Sequence, residues 1–213
     1  MGPRWGALSL DRPTRFVVAW AFAPCEDGAA PWVVAQTRRR TLGGQGVPWL
    51  SDGRRVYRQA VGRVYREPHR CGRRGRPPLR ATPGVGLTQV VKHRRHGRVV
   101  RVEVRRVLGE PPPCPYPAHV ERLNGGLRDR LACLTRKTHA FAKGASTWDA
   151  AVTLCLFEHN WLRPHRALRE PASPLPGGRR YRRRSPAMAL ALTDHIWSWE
   201  EFLTFRNYHY LME

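Results

Sequence analysis

Val47–Tyr65 reads VPWLSDGRRVYRQAVGRVY, and two hydrophobic periods meet inside it. The short apolar run Val47–Leu50 reads as a buried strand, and Ser51-Asp52-Gly53 ends it sharply. Beyond the break, Val56, Tyr57, Ala60, Val61 and Val64 recur at helical spacing. That spacing predicts an amphipathic helix over Arg54–Tyr65, capped by Ser51 or Asp52. A strand handing over to a helix is the unit of an α/β fold. It places Asp52 at the carboxyl end of a strand, where open α/β sheets bind ligands.

Upstream, the apolar runs Trp5–Leu10 and Arg15–Phe22 flank Asp11-Arg12-Pro13-Thr14 and read as a β-hairpin. Pro31–Arg40 fits strand and helix alike, and Thr41–Gly46 is a loop. Downstream, Glu67–Gly86 is rich in Arg, Pro and Gly and reads as a mobile basic loop. Gln89–Leu108 alternates valine with arginine around His96-Gly97, which predicts a half-buried basic hairpin with its polar face available to phosphates. After the proline-rich Pro111–Pro117, a helix is expected from Ala118 or His119 to about Leu134. Its buried stripe would be Val120, Leu123, Leu127, Leu131 and Leu134. Gly125-Gly126 costs that helix roughly 1 kcal/mol per glycine, so either a backbone approaches closely there or the helix is locally weak.

Ser146-Thr147-Trp148-Asp149 resembles a capping box for a helix through Trp161, with Trp148, Ala151, Val152, Cys155 and His159 inward. Trp148 and Trp161 read as core. Pro164 ends that helix. The expected organisation is one α/β domain over residues 1–170, a basic Pro/Gly-rich linker over 171–185 and a C-terminal segment over 186–213 with helical or mixed character.

The 213 residues suffice for one domain with a real core, and 41% of them are hydrophobic. No apolar run reaches about 18 residues, so neither a membrane span nor a membrane partner is expected. The N-terminus lacks the layout of a signal peptide, which predicts a cytoplasmic protein. The formal charge of +22 implies a polyanionic partner, and nucleic acid is the commonest one. Only Lys92, Lys137 and Lys143 are lysines; the arginine skew is also what a GC-rich genome produces. Five scattered cysteines without a C-x-x-C pair argue against a disulfide framework. His69, Cys71, His93 and His96 match no ordinary zinc module and read as exposed loop residues.

Glu121 stands alone among bases, with Asn124 at i+3 and Arg128 at i+7. A carboxylate on a basic helix suits metal-dependent chemistry at a phosphodiester, because the acid holds a divalent ion while the bases hold the nucleic acid. Two-metal phosphoryl transfer needs carboxylates converging on ions about 3.5–4 Å apart. Acids on a strand end and on a helix packed over that sheet meet in this way, and Asp52 and Glu121 have those placements. A capping aspartate and a first-turn glutamate facing the helix dipole are the ordinary alternatives.

Several stretches resemble DDE-type insertion-sequence transposases similar to the IS1 family. Trp49, Ser51, Asp52, Gly53 and Tyr57 look like the second-aspartate motif, and HVERLNGGLRDRL, from His119, looks like the glutamate motif. LTRKTHAFAK (Leu134–Lys143), NWLRPHRAL (Asn160–Leu168), LDRPTRFVVAW (Leu10–Trp20) and PAMALALTDHIWSWEEFL (Pro186–Leu203) follow the same pattern in order. The resemblance implies a ribonuclease-H-like (retroviral-integrase-like) mixed sheet flanked by helices. It implies DNA as partner, homo-oligomers when intact, a nucleoid-associated protein when DNA-bound, and transposition by strand transfer with Mg²⁺ or Mn²⁺. Asp52 and Glu121 would be the metal ligands. Arg94, Arg95, Arg98 and Arg101 of the basic hairpin, with Arg122, Asn124 and Arg128 of the glutamate helix, would hold DNA.

In that family the first catalytic aspartate lies on a strand preceding the hairpin, and the first strand is therefore expected to be missing here. Asp11 reads as a turn residue, not a substitute. Strand transfer is expected to be absent or severely impaired unless an upstream frame supplies the strand. His119 and His165 gain no role from spacing alone. The alternatives are a non-catalytic basic nucleic-acid-binding remnant and an RNA- or ribosome-associated protein.

Overall fold

The computed structural model describes residues 5–25, 27–41, 45–72, 75–135, 139–140, 142–175 and 179–205. The chain divides into two compact units, Met1–Leu10 with Val18–Asp129, and Asp11–Val17 with Arg130–Glu213.

The first unit is mixed α/β. Strands β1 (Trp5–Leu10) and β2 (Val17–Ala23) pair, as the two N-terminal apolar runs predict. Pro31–Arg40, ambiguous by pattern, lies in helix α1 (Ala29–Arg40). Its buried residues Ala29, Ala30, Val33, Val34 and Thr37 recur at three- and four-residue steps, and the Thr37 hydroxyl meets Ser9 Oγ of β1 at 2.6 Å. Strand β3 (Pro48–Asp52) leads into helix α2 (Arg55–Val64). The cap differs from expectation. Arg54 takes the N-cap position without a side-chain bond, so neither Ser51 nor Asp52 is the cap; Asp52 Oδ1 instead accepts the Arg54 amide at 3.2 Å.

The stretch expected to be a mobile loop contains a short antiparallel pair, β4 (Arg66–Pro68) and β5 (Leu79–Ala81). Strands β6 (Gly86–Arg95) and β7 (Arg98–Leu108) then form the basic hairpin. The central sheet runs β3-β6-β7, parallel at the first junction and antiparallel at the second. Trp49, Tyr65, Val85 and Leu87 pack with Val34, Ala60 and Val61 in the core on one face of that sheet.

Helix α3 (Ala118–Arg130) carries the candidate glutamate. It is shorter than its pattern suggests: a separate 3-10 turn holds Ala132–Leu134, and of the expected stripe only Leu123 and Leu127 are buried. A Cβ placed at Gly125 or Gly126 would meet nothing within 4 Å.

In the second unit, α4 (Ala145–Phe157) runs into a π-helical turn over Glu158–Leu162. Its N-cap is Gly144 with no side-chain bond, so the expected Ser146 capping box does not form. The inward residues are Trp148, Val152, Leu156 and Asn160, at four-residue steps. Cys155 and His159 sit one position off that stripe and are only partly buried. Trp148 is core, whereas Trp161 is half-buried among Phe16 and Trp197. The stretch read as a linker forms another antiparallel pair, β8 (Glu170–Leu175) and β9 (Arg179–Arg182). Two short helices follow, α5 (Pro186–Ala189) and α6 (Trp199–Thr204), the latter begun by a complete capping box of Ser198 and Glu201.

Among the described residues no helix is long and apolar enough to cross a membrane. All five cysteines are free.

Candidate phosphoryl-transfer site and nucleic-acid interface

Asp52 ends β3 directly opposite Val90 of the parallel neighbour β6. Residues in register across a sheet share a face, and successive residues alternate faces. Leu50, Asp52, Thr88, Val90 and Lys92 therefore lie on one face, while Trp49, Ser51, Leu87 and Gln89 turn toward the core. By strand spacing and rise, the Cα atoms of Asp52 and Lys92 are about 8 Å apart. The Lys92 ammonium reaches Glu121 Oε1 on α3 in an ion pair. Glu121 of α3 is thus tied to β6 two residues beyond Val90, on the strand face that also carries Asp52.

The turn after Asp52 is built closely. Gln89 Nε2 donates to the carbonyls of Asp52 at 2.8 Å and Arg54 at 2.9 Å, holding strand end and helix start together. A Cβ on Gly53 would come within 2.7 Å of Val91 Cγ2, which explains glycine after the aspartate. Neither Gln89 nor Lys92 stood out in sequence. Their roles depend on the β3–β6 register, which no local pattern encodes.

Both carboxylates already have cationic neighbours. Arg54 Nε lies 3.7 Å from Asp52 Oδ2, and Arg54 Nη1 lies 3.5 Å from Asp27 Oδ1, so one guanidinium spans two acids. Asp27 also escaped sequence reading, because nothing local joins it to Asp52. Asp52 and Glu121 side chains are 59% and 54% exposed, open to solvent and to a substrate phosphate.

Among the described residues no group of three or more His, Cys, Asp or Glu side chains converges to hold a metal ion. Mg²⁺ keeps several waters and commonly takes one or two carboxylates plus substrate phosphates. Two carboxylates would suffice for one such ion only if it were shared with a phosphate. They do not fit a closed two-ion cage. Asp11 is a turn residue: its Oδ2 accepts the Thr14 amide at 3.1 Å, and its amide donates to the Phe16 carbonyl.

The arginines expected to hold DNA fall into two groups. Arg94, Arg95, Arg98 and Arg101 surround the tip of the β6–β7 hairpin and are exposed. Arg122 and Arg128 are exposed on α3, and Asn124 is half-buried. Along the hairpin, Glu103 accepts from Arg105 Nε at 2.6 Å and lies 2.8 Å from His93 Nε2. These partners, Arg105 first, hold its carboxyl down at about 2. Glu103 is thus engaged by its own neighbours on the hairpin.

His159 and His165 of the second unit have structural partners. His165 Nδ1 accepts the Ala167 amide at 3.2 Å and so caps a 3-10 turn. His159 Nε2 bonds the Arg15 carbonyl at 2.9 Å, and burial pushes its pKa down. Comparison of the chain with protein-family models, with curated proteins and with solved structures finds no match.

Proposed function

We propose that the chain is a DNA-binding protein of the DDE transposase type, built on a ribonuclease-H-like arrangement of its α/β unit. Asp52 and Glu121 would be carboxylates of a Mg²⁺- or Mn²⁺-dependent site for cutting and joining DNA strands. The observation that carries this reading is the shared face at the end of β3: Asp52 in register with Val90, and Lys92, two residues on, paired to Glu121. The +22 charge supplies the affinity for the polyanion, and such an enzyme would work as a homo-oligomer on nucleoid DNA.

The residues divide the work. Gln89 and Gly53 fix the backbone that presents Asp52, and Lys92 occupies the Glu121 carboxylate until an ion displaces it. The exposed arginines of the β6–β7 tip and of α3 hold phosphates. A divalent ion bound there would supply activation of the attacking hydroxyl and charge stabilisation of the leaving oxygen. With two carboxylates, each beside a cation, strand joining is expected to be slow. Each tenfold of rate corresponds to about 1.4 kcal/mol, so a few kcal/mol of lost stabilisation costs several orders of magnitude.

A second reading, a non-catalytic DNA-binding remnant, is favoured by the ion pairs themselves, since Arg54 and Lys92 already neutralise both acids. Strand joining separates the two. Purified chain is given duplex ends bearing a free 3′-hydroxyl and a supercoiled target in Mn²⁺. Weak joining that disappears in both Asp52→Asn and Glu121→Gln supports the transposase reading. Tight DNA binding without any joining supports the remnant.

A further inference from the structure

The β6–β7 hairpin changes character where β3 stops. Gly86–Val90, the part of β6 paired with β3, is wholly buried, whereas from Val91 to Arg106 no residue is buried. The hairpin's distal part, Val91–Glu103, is a two-stranded ribbon past the end of β3, in which Val91, His93 and Glu103 are half-buried and the rest exposed. Lys92, Arg94, Arg95, Arg98 and Arg101 stand on it against the single acid Glu103.

The tip is rigidly closed. Arg95 pairs with Arg98 across a two-residue turn in which His96 and Gly97 both have positive φ, 49° and 76°. That turn matches the right-handed twist of the strands, and Arg94 Nη1 braces it by donating to the Gly97 carbonyl at 3.1 Å. Register puts Arg95 opposite Arg98 and His93 opposite Arg101, so these four share one face. Among the described residues, no hydrogen bond or ion pair engages the guanidiniums of Arg95, Arg98 and Arg101. The other face alternates Lys92 and Arg94 with Val102 and Val99, and the bulged Val100 is 62% exposed.

Three unengaged guanidiniums on one face of a projecting ribbon need a partner that is anionic, deep and rich in acceptors. The major groove of B-form DNA is about 12 Å wide and admits a two-stranded β-ribbon. Its base edges offer the guanine O6 and N7 acceptors that arginine forks meet, and phosphates line both rims. The major groove of A-form RNA is too narrow for it. We infer that the β6–β7 ribbon inserts into the major groove of duplex DNA with Arg95, Arg98 and Arg101 toward the base edges and rims. The inference rests on the DNA-binding reading and adds the mode of engagement.

The test compares duplexes of equal charge. One is unmodified; in the other every cytosine carries a glucosylated hydroxymethyl group at C5, which fills the major groove. Binding of the full chain is read by fluorescence anisotropy, with the minor-groove ligand netropsin in a parallel arm. The expected result is at least a tenfold loss of affinity on the filled duplex and no competition from netropsin. The R95A/R98A/R101A variant should bind the unmodified duplex more weakly and lose the discrimination. These side chains are exposed, so its far-UV circular dichroism should match the parent. Equal affinity for both duplexes, or netropsin competition, overturns groove insertion while leaving DNA binding standing. Stronger binding to A-form RNA duplex also overturns it. Failure to bind any duplex removes the DNA-binding reading itself.

Discussion

The Asn160 side chain pairs with Val17 as a neighbouring strand would. Its Oδ1 accepts the Val17 amide at 2.8 Å, and its Nδ2 donates to the Val17 carbonyl at 3.0 Å. Asn160 is 2% exposed and Val17 fully buried, so this one amide serves two buried backbone groups. Orphaning two buried groups at about 1–3 kcal/mol each predicts that Asn160→Ala loses roughly 2–6 kcal/mol. Asn160→Asp should lose at least as much, because a carboxylate would face the Val17 carbonyl. Urea unfolding checks both, and a loss under about 0.5 kcal/mol for Asn160→Ala would contradict the pairing.

Gly53 predicts a rescue. Gly53→Ala drives a methyl into Val91 Cγ2, and overpacking of this kind costs about 1–3 kcal/mol. Adding Val91→Ala should recover part of that loss, giving a negative coupling in a double-mutant cycle. Additive losses would mean that the strain lies elsewhere in the turn.

His159 sets an acid limit to stability. Burial lowers its pKa first; the Arg15 carbonyl raises it, and the charges of His165, Arg130 and Arg163 lower it further. In the unfolded chain the group titrates near 6.5. Below that value the unfolded state binds the proton more readily. The contribution is therefore fully present above pH 6.5 and is lost as pH falls through the lower folded value. His195 behaves oppositely. Its bonds to Asp194 and Glu201 raise its pKa, so its contribution holds below 6.5 and fades only on the alkaline side. Denaturation midpoints should fall between pH 7 and pH 5, and His159→Gln, which keeps an amide donor for Arg15, should flatten that fall. An unchanged slope would contradict the assignment.

Lys92 competes with any divalent ion for Glu121. Lys92→Met keeps the stem length and removes the charge. It should tighten Mn²⁺ binding about tenfold, on the order of 1.4 kcal/mol, as the competing ammonium is removed. Isothermal titration reads the change. Weaker binding in the variant would show that Lys92 supports the ion instead of excluding it.

Where the argument rested on period and break, sequence and structure agree. The hydrophobic switch around Ser51-Asp52-Gly53 placed Asp52 at a strand end, and valine–arginine alternation about His96-Gly97 placed the basic hairpin. Composition misled where short strands are rich in Arg, Pro and Gly. β4, β5, β8 and β9 are three to six residues long and rich in Arg and Pro, so no apolar alternation marked them. The α4 stripe was misread by one position because Ala151, Cys155 and His159 lie close to the true four-residue row. The candidate site was half legible. Asp52 and Glu121 were visible as residues, whereas Gln89, Lys92 and Asp27 owe their positions to register and to a shared guanidinium.

The central claim is that Asp52 and Glu121 serve one ion-binding face. Electron paramagnetic resonance titration of Mn²⁺ into the purified chain bound to duplex DNA tests it most directly, comparing the parent with Asp52→Asn, Glu121→Gln and the double variant. The account predicts one Mn²⁺ per chain, weakened at least tenfold by either substitution, with the double variant little worse than the singles. Mn²⁺ uptake that is unchanged in all three variants would contradict it.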